Sequence, residues 1–246
     1  MTPEQIQRYA RQIRLGQVQQ SGQEKLLAAK VLIVGLGGLG SPAAMYLAAS
    51  GVGTLVLSDF DRVEPSNLQR QIIHRESDIG ELKAASAKQT LSEINPACEL
   101  IALDWQLDEQ ELGTEIRAAD LVLDCTDNFA SRFQLNRVAI KERTPLVTAA
   151  AIRLEGQIMT SLADGGPCYQ CVYPEALENQ ESCDMEGVLA PLVGVIGSLQ
   201  ALQAVRVLTG HQEELRGGLL LFDAASMEWQ RIRVPSRPAC PICSQS

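Results

Sequence analysis

The sequence predicts an α/β fold built on a doubly wound, Rossmann-like parallel sheet. Three observations carry that expectation. Short apolar runs alternate with helical patterns from residue 30 to residue 150, the order that produces a parallel sheet covered by helices on both faces. Gly35-x-Gly37-x-x-Gly40 stands directly after one such run, VLIVG (31–35), and opens a helical segment, the context of a nucleotide-binding turn. Near the end, two adjacent strand-like runs replace the alternation and predict antiparallel additions.

The elements follow in chain order. Residues 3 to 18 read as an amphipathic helix, with Ile6, Tyr9, Ala10 and Ile13 in one stripe and Arg8, Arg11 and Gln12 off it. A short helix is expected over 23–29. VLIVG is a continuous apolar run, as in a strand buried on both faces. A helix is expected over 42–50, with Pro42 early in its first turn, where a missing N–H costs little. TLVLSD (54–59), ELIALD (99–104), DLVLDC (120–125), PLVTAA (145–150) and GQIMTS (156–161) read as strands. Helices are expected over 81–94, stopped by Asn95-Pro96, and near 108–117 and 130–142. The run 191–209 reads as a helix with Leu192, Val195, Ile196, Leu199, Leu202 and Val205 on one face. GLLLFD (218–223) and EWQRIRV (228–234) read as a closing hairpin. The expected organisation is one domain: N-terminal helices over 1–29, a nucleotide-binding βα core over 30–150, and a C-terminal part over 151–246.

Composition narrows the class. The 246 residues are 46% hydrophobic, enough for a core and against general disorder. A net charge of −9 argues against a protein that grips nucleic acid nonspecifically. Sixteen of the 21 basic residues are Arg, suited to planar recognition of phosphate or carboxylate. The N-terminus has no apolar run, so no signal peptide is expected and the compartment is read as a reducing cytoplasm. Residues 31–58 carry no charge, but six glycines and a proline interrupt them. They read as buried strand, turn, helix and strand rather than a membrane span.

Four of the seven cysteines form two pairs, Cys168-x-x-Cys171 and Cys240-x-x-Cys243. Two such knuckles offer four thiolates to one structural, tetrahedral zinc. The 68 residues between them imply that the site pins two distant segments, the second at the C-terminal end, where a chain otherwise frays. Four protein ligands leave no position for substrate, so no catalytic role follows. Cys98 and Cys125 lie in apolar surroundings and are expected in the core. Cys183 lies in a polar, acidic stretch expected to form a loop.

In the glycine motif, Gly35 permits the tight turn, Gly37 lets backbone approach phosphate and Gly40 lets helix pack on strand. The helix N-terminus offers free N–H groups and a positive dipole end. Asp59 ends the second strand, 19 residues after Gly40, and is a candidate acceptor for ribose hydroxyls. The motif alone favours NAD. The residues beyond Asp59 favour a triphosphate with Mg²⁺: Asn67 and Arg70, then Lys83, then Asp127 and Asn128 after the DLVLDC strand. His211 reads as a loop residue, and His74 receives no assignment.

Together, GLGGLG (including Gly38), Asp59, SNLQRQ (66–71), Lys83, DCTDN, AAIRLEGQI, the paired CxxC motifs and PLVGVIGSLQALQA resemble the MoeB/ThiF/HesA adenylyltransferases, prokaryotic relatives of ubiquitin-activating enzymes. The resemblance runs from Arg8 to Cys243. It implies a homodimer that binds ATP–Mg²⁺ and a small sulfur-carrier protein ending in Gly-Gly. The carrier's terminal carboxylate attacks the α-phosphate, giving an acyl-adenylate and pyrophosphate. The resemblance assigns Asp59 to the ribose, Asn67, Arg70 and Lys83 to the phosphates, and Asp127 to Mg²⁺ with Asn128 beside it. Ser66, Leu68 and Gln69 come with the same motif. Arg11 is expected to reach the triphosphate across the dimer interface. Cys183 matches a cysteine of relatives and is a candidate for a covalent link to the activated carrier, although Glu181, Asp184 and Glu186 would raise its pKa. AAIRLEGQI leans toward the molybdopterin branch and FDAASMEWQ toward the thiamin branch. The chain ends after Cys243 without an appended rhodanese domain, so a separate sulfur donor is expected. Two other classes stay open: an NAD-dependent oxidoreductase, and a noncatalytic partner that binds a carrier without activating it.

Overall fold

The computed structural model describes residues 1–162, 164–173 and 186–244. Among these residues eight strands form one sheet: β1 (Lys30–Val34), β2 (Thr54–Ser58), β3 (Glu99–Leu103), β4 (Leu121–Asp124), β5 (Leu146–Ile152), β6 (Glu155–Ser161), β7 (Gly218–Asp223) and β8 (Glu228–Arg233). Their order is β3-β2-β1-β4-β5-β6-β7-β8. Strands β1 to β5 pair in parallel, with Val31 opposite both Leu55 and Leu121. Strands β5 to β8 pair antiparallel. This is the expected doubly wound sheet with antiparallel additions.

The apolar runs are continuous because both faces of the sheet are covered. On one face Val31, Ile33, Leu55, Leu57, Leu121 and Leu123 pack in a single buried cluster. Its cover is α4 (Gly40–Ser50), α5 (Lys83–Ile94) and α9 (Ala190–Thr209). On the other face Leu32, Val56, Val122 and Leu146 pack under α6 (Glu109–Arg117) and α7 (Phe129–Glu142). A short α8 spans Tyr169–Val172.

Two expectations need correction. The N-terminal helix is broken: α1 (Pro3–Arg8) and α2 (Ala10–Ile13) flank Tyr9, whose backbone (φ −98°, ψ 11°) leaves the helical region. The ring is buried, and its hydroxyl accepts a hydrogen bond from Asn95 Nδ2 at 2.9 Å, whereas Ile6 is 46% exposed. Anchoring one large ring beneath Gly51 won over continuing the stripe. The next helix, α3, runs Gln19–Ala28.

The second correction concerns α9. Its buried face carries Leu192, Val193, Ile196, Gly197, Gln200, Ala201, Gln203 and Ala204. Val195 and Leu202, expected on that face, are 41% and 55% exposed. Two glutamines enter the core because they find partners there. Gln200 Nε2 donates to the carbonyls of Asp124 (2.9 Å) and Val147 (3.2 Å), and Gln203 accepts from the Thr160 hydroxyl. A hydrophobicity pattern cannot recognise a polar residue whose bonds are satisfied by strands far away in sequence. By length and composition α9 could cross a membrane, but half of that stretch is buried inside the molecule.

Candidate functional site

The sheet order reverses between β1 and β4, and ligands of such sheets bind outside the strand C-termini at that point. A cavity of about 220 Å³ lies there. Val34 closes β1 and Ser58 closes β2 at its floor, while Asp127 and Asn128 follow β4. Trp105, Leu107 and Leu112 add an apolar wall.

The glycine turn has the geometry its sequence requires. Gly35 has φ +92°, and a Cβ there would sit 2.8 Å from the Cys125 carbonyl oxygen. At Gly40 a Cβ would meet the Gly35 carbonyl oxygen at 2.0 Å. Gly37 and Gly38 line the cavity, and Val193 of α9 packs behind Gly38.

Asp59 lines the cavity just beyond β2. Its Oδ2 accepts from Leu36 N (2.7 Å) and its Oδ1 from Asp61 N (2.9 Å). Burial pushes its carboxyl above the usual range; Lys83 and the two N–H donors pull the other way. Lys83 opens α5 and is buried, with Nζ 2.9 Å from Asp61 Oδ2. Arg70 also lines the cavity and donates from Nη1 to the Ser66 carbonyl at 3.0 Å.

Asn128 caps α7 by accepting from Ser131 N (2.9 Å), and its Nδ2 donates to Asp127 Oδ1 at 3.3 Å. The Asp127 carboxylate is exposed toward solvent. Gly35, Gly37, Gly38, Asp59, Arg70, Lys83, Asp127 and Asn128 thus share one cavity.

Other expected residues lie outside that wall. The side chain of Asn67 accepts from Glu64 N at 3.1 Å and closes a 3₁₀ turn over Pro65–Asn67. Ser66 and Gln69 are exposed, Leu68 ends the turn, and none of the four lines the cavity. Arg11 is exposed on α2 and does not line it either. Cys183, with Glu181 and Asp184, lies outside the described residues.

Sequence reasoning missed several wall residues. Gln71, rather than Gln69, faces the cavity, with its Nε2 3.5 Å from the position of a Gly37 Cβ and its Oε1 buried without a partner. Arg132 lies one helical turn past the Asn128 cap, buried, donating from Nη2 to the Thr126 carbonyl at 2.8 Å. Its spacing from the cap was the available signal. Behind the wall, and outside the cavity lining, Asp124 ends β4 fully buried, accepting from Thr126 N and Oγ1 (3.1 and 2.7 Å). Burial holds its carboxyl above the usual range, against the opposing pull of Arg132.

Away from the cavity, Cys168, Cys171, Cys240 and Cys243 converge. Their four Sγ atoms all lie within 4.8 Å of one another, with Cys168–Cys240 at 3.7 Å and Cys171–Cys243 at 3.4 Å. Tetrahedral zinc with thiolate bonds of about 2.3 Å sets sulfur–sulfur edges of about 3.8 Å, so the donor set fits that ion. Cys168 precedes α8, and Tyr169 N donates to Asn136 Oδ1 at 3.0 Å, tying the cluster to α7. Cys98 and Cys125 are buried as expected, and burial pushes the Cys98 thiol up to about 11.

With this geometry, the ThiF family profile matches residues 9–242. The chain belongs to the ThiF family. It is 45% identical over 246 residues to the molybdopterin-synthase adenylyltransferase of Escherichia coli, covering 100% of this chain and 99% of that one. It is equally 45% identical, over 248 residues, to the sulfur carrier protein ThiS adenylyltransferase of E. coli, covering 100% and 98%. Among solved structures, the microcin C7 biosynthetic enzyme MccB in complex with N-formylated MccA superposes with a TM-score of 0.83 at 21% identity, covering 99% of this chain and 77% of that one. That likeness speaks for the fold. In this ThiF-family chain the cavity at the switch point is the candidate site, and the four-cysteine cluster shares no residue with it.

Proposed function

We propose that the protein is an ATP-dependent adenylyltransferase that activates the C-terminal carboxylate of a small, Gly-Gly-ended sulfur-carrier protein. The observation that carries this reading is the cavity at the switch point. It combines an acceptor for ribose (Asp59), cations for phosphates (Arg70, Lys83) and an exposed carboxylate for a metal (Asp127). Two relatives at 45% identity over nearly their whole length are named as adenylyltransferases, one of a sulfur carrier.

In the reaction, the carrier carboxylate oxygen forms a bond to the α-phosphorus while the bond from that phosphorus to the bridging oxygen breaks and pyrophosphate leaves. Two anions must approach, so charge neutralisation dominates the barrier. Arg70 and Lys83 supply it from the protein, and the turn at Gly37–Gly38 adds backbone N–H groups at a helix N-terminus. Mg²⁺, held at Asp127, would neutralise and orient the phosphates. Asp59, braced by Leu36 N and Asp61 N, aligns the ribose and so the attack line. Zinc at the four cysteines would act on stability alone.

A homodimer fits this reading. An apolar groove lined by Leu15, Val18, Tyr46, Leu202 and Val205, with Gln12 of α2 at its wall, offers a surface for a second copy. Sulfur transfer then needs a separate donor.

ATP–pyrophosphate exchange with purified carriers of the molybdopterin and thiamin types tests the assignment. Exchange that depends on one of them, and on its terminal glycine, is expected. Tight NAD binding without ATP–Mg²⁺ binding would overturn it.

A further inference from the structure

Leu36, in the middle of the glycine turn, is held through both of its backbone polar groups. Its N–H donates to Asp59 Oδ2 at 2.7 Å, and its carbonyl oxygen lies 3.1 Å from His74 Nε2. A carbonyl only accepts, so the contact requires a proton on Nε2. On the far side of the ring, Nδ1 lies 2.8 Å from Ser86 Oγ, and Ser86 Oγ lies 2.7 Å from Asp78 Oδ2. His74 and Ser86 are both buried. Asp78 is itself braced by Arg75 N at 2.9 Å and by the Ser77 hydroxyl at 3.0 Å.

Ser86 has a single hydroxyl proton, and its 2.7 Å contact with the Asp78 carboxylate uses it, so Nδ1 must donate to Ser86. Nε2 must donate to the Leu36 carbonyl. All three contacts are satisfied together when the ring carries both protons, its charge balanced through Ser86 by the Asp78 carboxylate. A ring protonated on Nδ1 alone would aim an Nε2 lone pair at the Leu36 carbonyl, and one protonated on Nε2 alone would leave the Ser86–Asp78 contact without a proton.

The consequence lies on the other side of the peptide plane. Among the described residues there is no cis peptide bond. In a trans peptide the carbonyl of one residue and the N–H of the next point in opposite directions. Gly37 lines the cavity and His74 does not. We propose that His74 is a positioning residue for the nucleotide phosphates. By holding the Leu36 carbonyl away from the cavity, it turns the Gly37 N–H into it as an anion donor, while Ser86, backed by the Asp78 carboxylate, accepts from the far side of the ring. This inference rests on the nucleotide reading above. It assigns a role to a histidine that the sequence left unassigned and that touches no substrate.

The test compares ATP–Mg²⁺ with adenosine, which lacks the phosphates, using calorimetry and competition on the wild-type protein and its variants. His74→Leu should weaken ATP about tenfold, the scale of one charge-assisted hydrogen bond, while adenosine affinity stays within about twofold. His74→Gln, which keeps a donor near Nε2, should recover part of the loss. His74→Asn, whose amide is too short to reach the Leu36 carbonyl, should weaken ATP in the same direction and serves as the test if His74→Leu does not fold. Equal losses for ATP and adenosine, or unchanged ATP affinity in a folded variant, would overturn the proposal while leaving the nucleotide reading intact. A wild-type protein that binds adenosine and ATP equally, or neither, would overturn both.

Discussion

The Lys83 ammonium lies 2.9 Å from the Asp61 carboxylate, with the lysine side chain 8% exposed and the aspartate 56%. This buried cation of the switch-point cavity thus already has an anionic partner, and on the proposed reading the phosphates must compete for it. Asp61→Asn should therefore move two properties in opposite directions. The unliganded protein should lose about 1 kcal/mol, because Asp61 is largely exposed. That corresponds to a Tm lower by about 2–4 °C at this chain length. ATP–Mg²⁺ should bind more tightly, since Lys83 is released. Calorimetry and thermal denaturation of the same sample check both signs, and weaker ATP binding would contradict the argument.

Acidification should weaken ATP before it would for an ordinary aspartate. Burial holds the Asp59 carboxyl above its usual value, so protonation, and loss of a ribose acceptor, begins at a higher pH. The stability sign is opposite. For a carboxyl whose folded pKa is raised, ionisation penalises the folded state at neutral pH, and that penalty is relieved as pH falls through the folded pKa. Kd profiles from neutral to mildly acidic pH should bend for wild type and flatten for Asp59→Asn.

Metal analysis of freshly purified protein should give one zinc per chain. Cys171→Ser or a strong chelator should lower Tm by about 5–10 °C, a loss of a few kcal/mol at this chain length. Pyrophosphate exchange by the protein that remains folded should persist, because the cluster and the cavity have no residue in common. Loss of exchange at full thermal stability would give the cluster a role beyond structure.

Arg11 should act in trans. Arg11→Ala and Asp127→Ala are each expected to be inactive as homodimers. Mixed and allowed to exchange subunits, they form heterodimers in which one of two sites is wild type at both positions, so activity should recover to about a quarter of wild type. No recovery, with heterodimers demonstrated, would mean that Arg11 serves its own subunit or no site.

Much of this molecule is legible in short stretches of its sequence. Strand and helix identity along the core follows from local periodicity, the turn from three glycines, and the four-cysteine cluster from cysteine spacing. These are short-range properties: backbone sterics and the repeat of a helix or strand act within a few residues, so they are written in adjacent letters. What the letters do not contain is every choice settled between distant segments. The break at Tyr9 depends on a cavity under Gly51 and on Asn95. The buried face of α9 depends on carbonyls at the end of β4 and within β5 that Gln200 can satisfy. Within SNLQRQ, the wall is built from Arg70 and Gln71 rather than Gln69, because the 3₁₀ turn at 65–67 sets which side chains face inward. The role proposed for His74 depends on Leu36, 38 residues away, and on Ser86 and Asp78 on the far side of its ring. Hydrogen-bond satisfaction and close packing are settled across the whole folded chain, and no window of sequence holds both partners of such contacts.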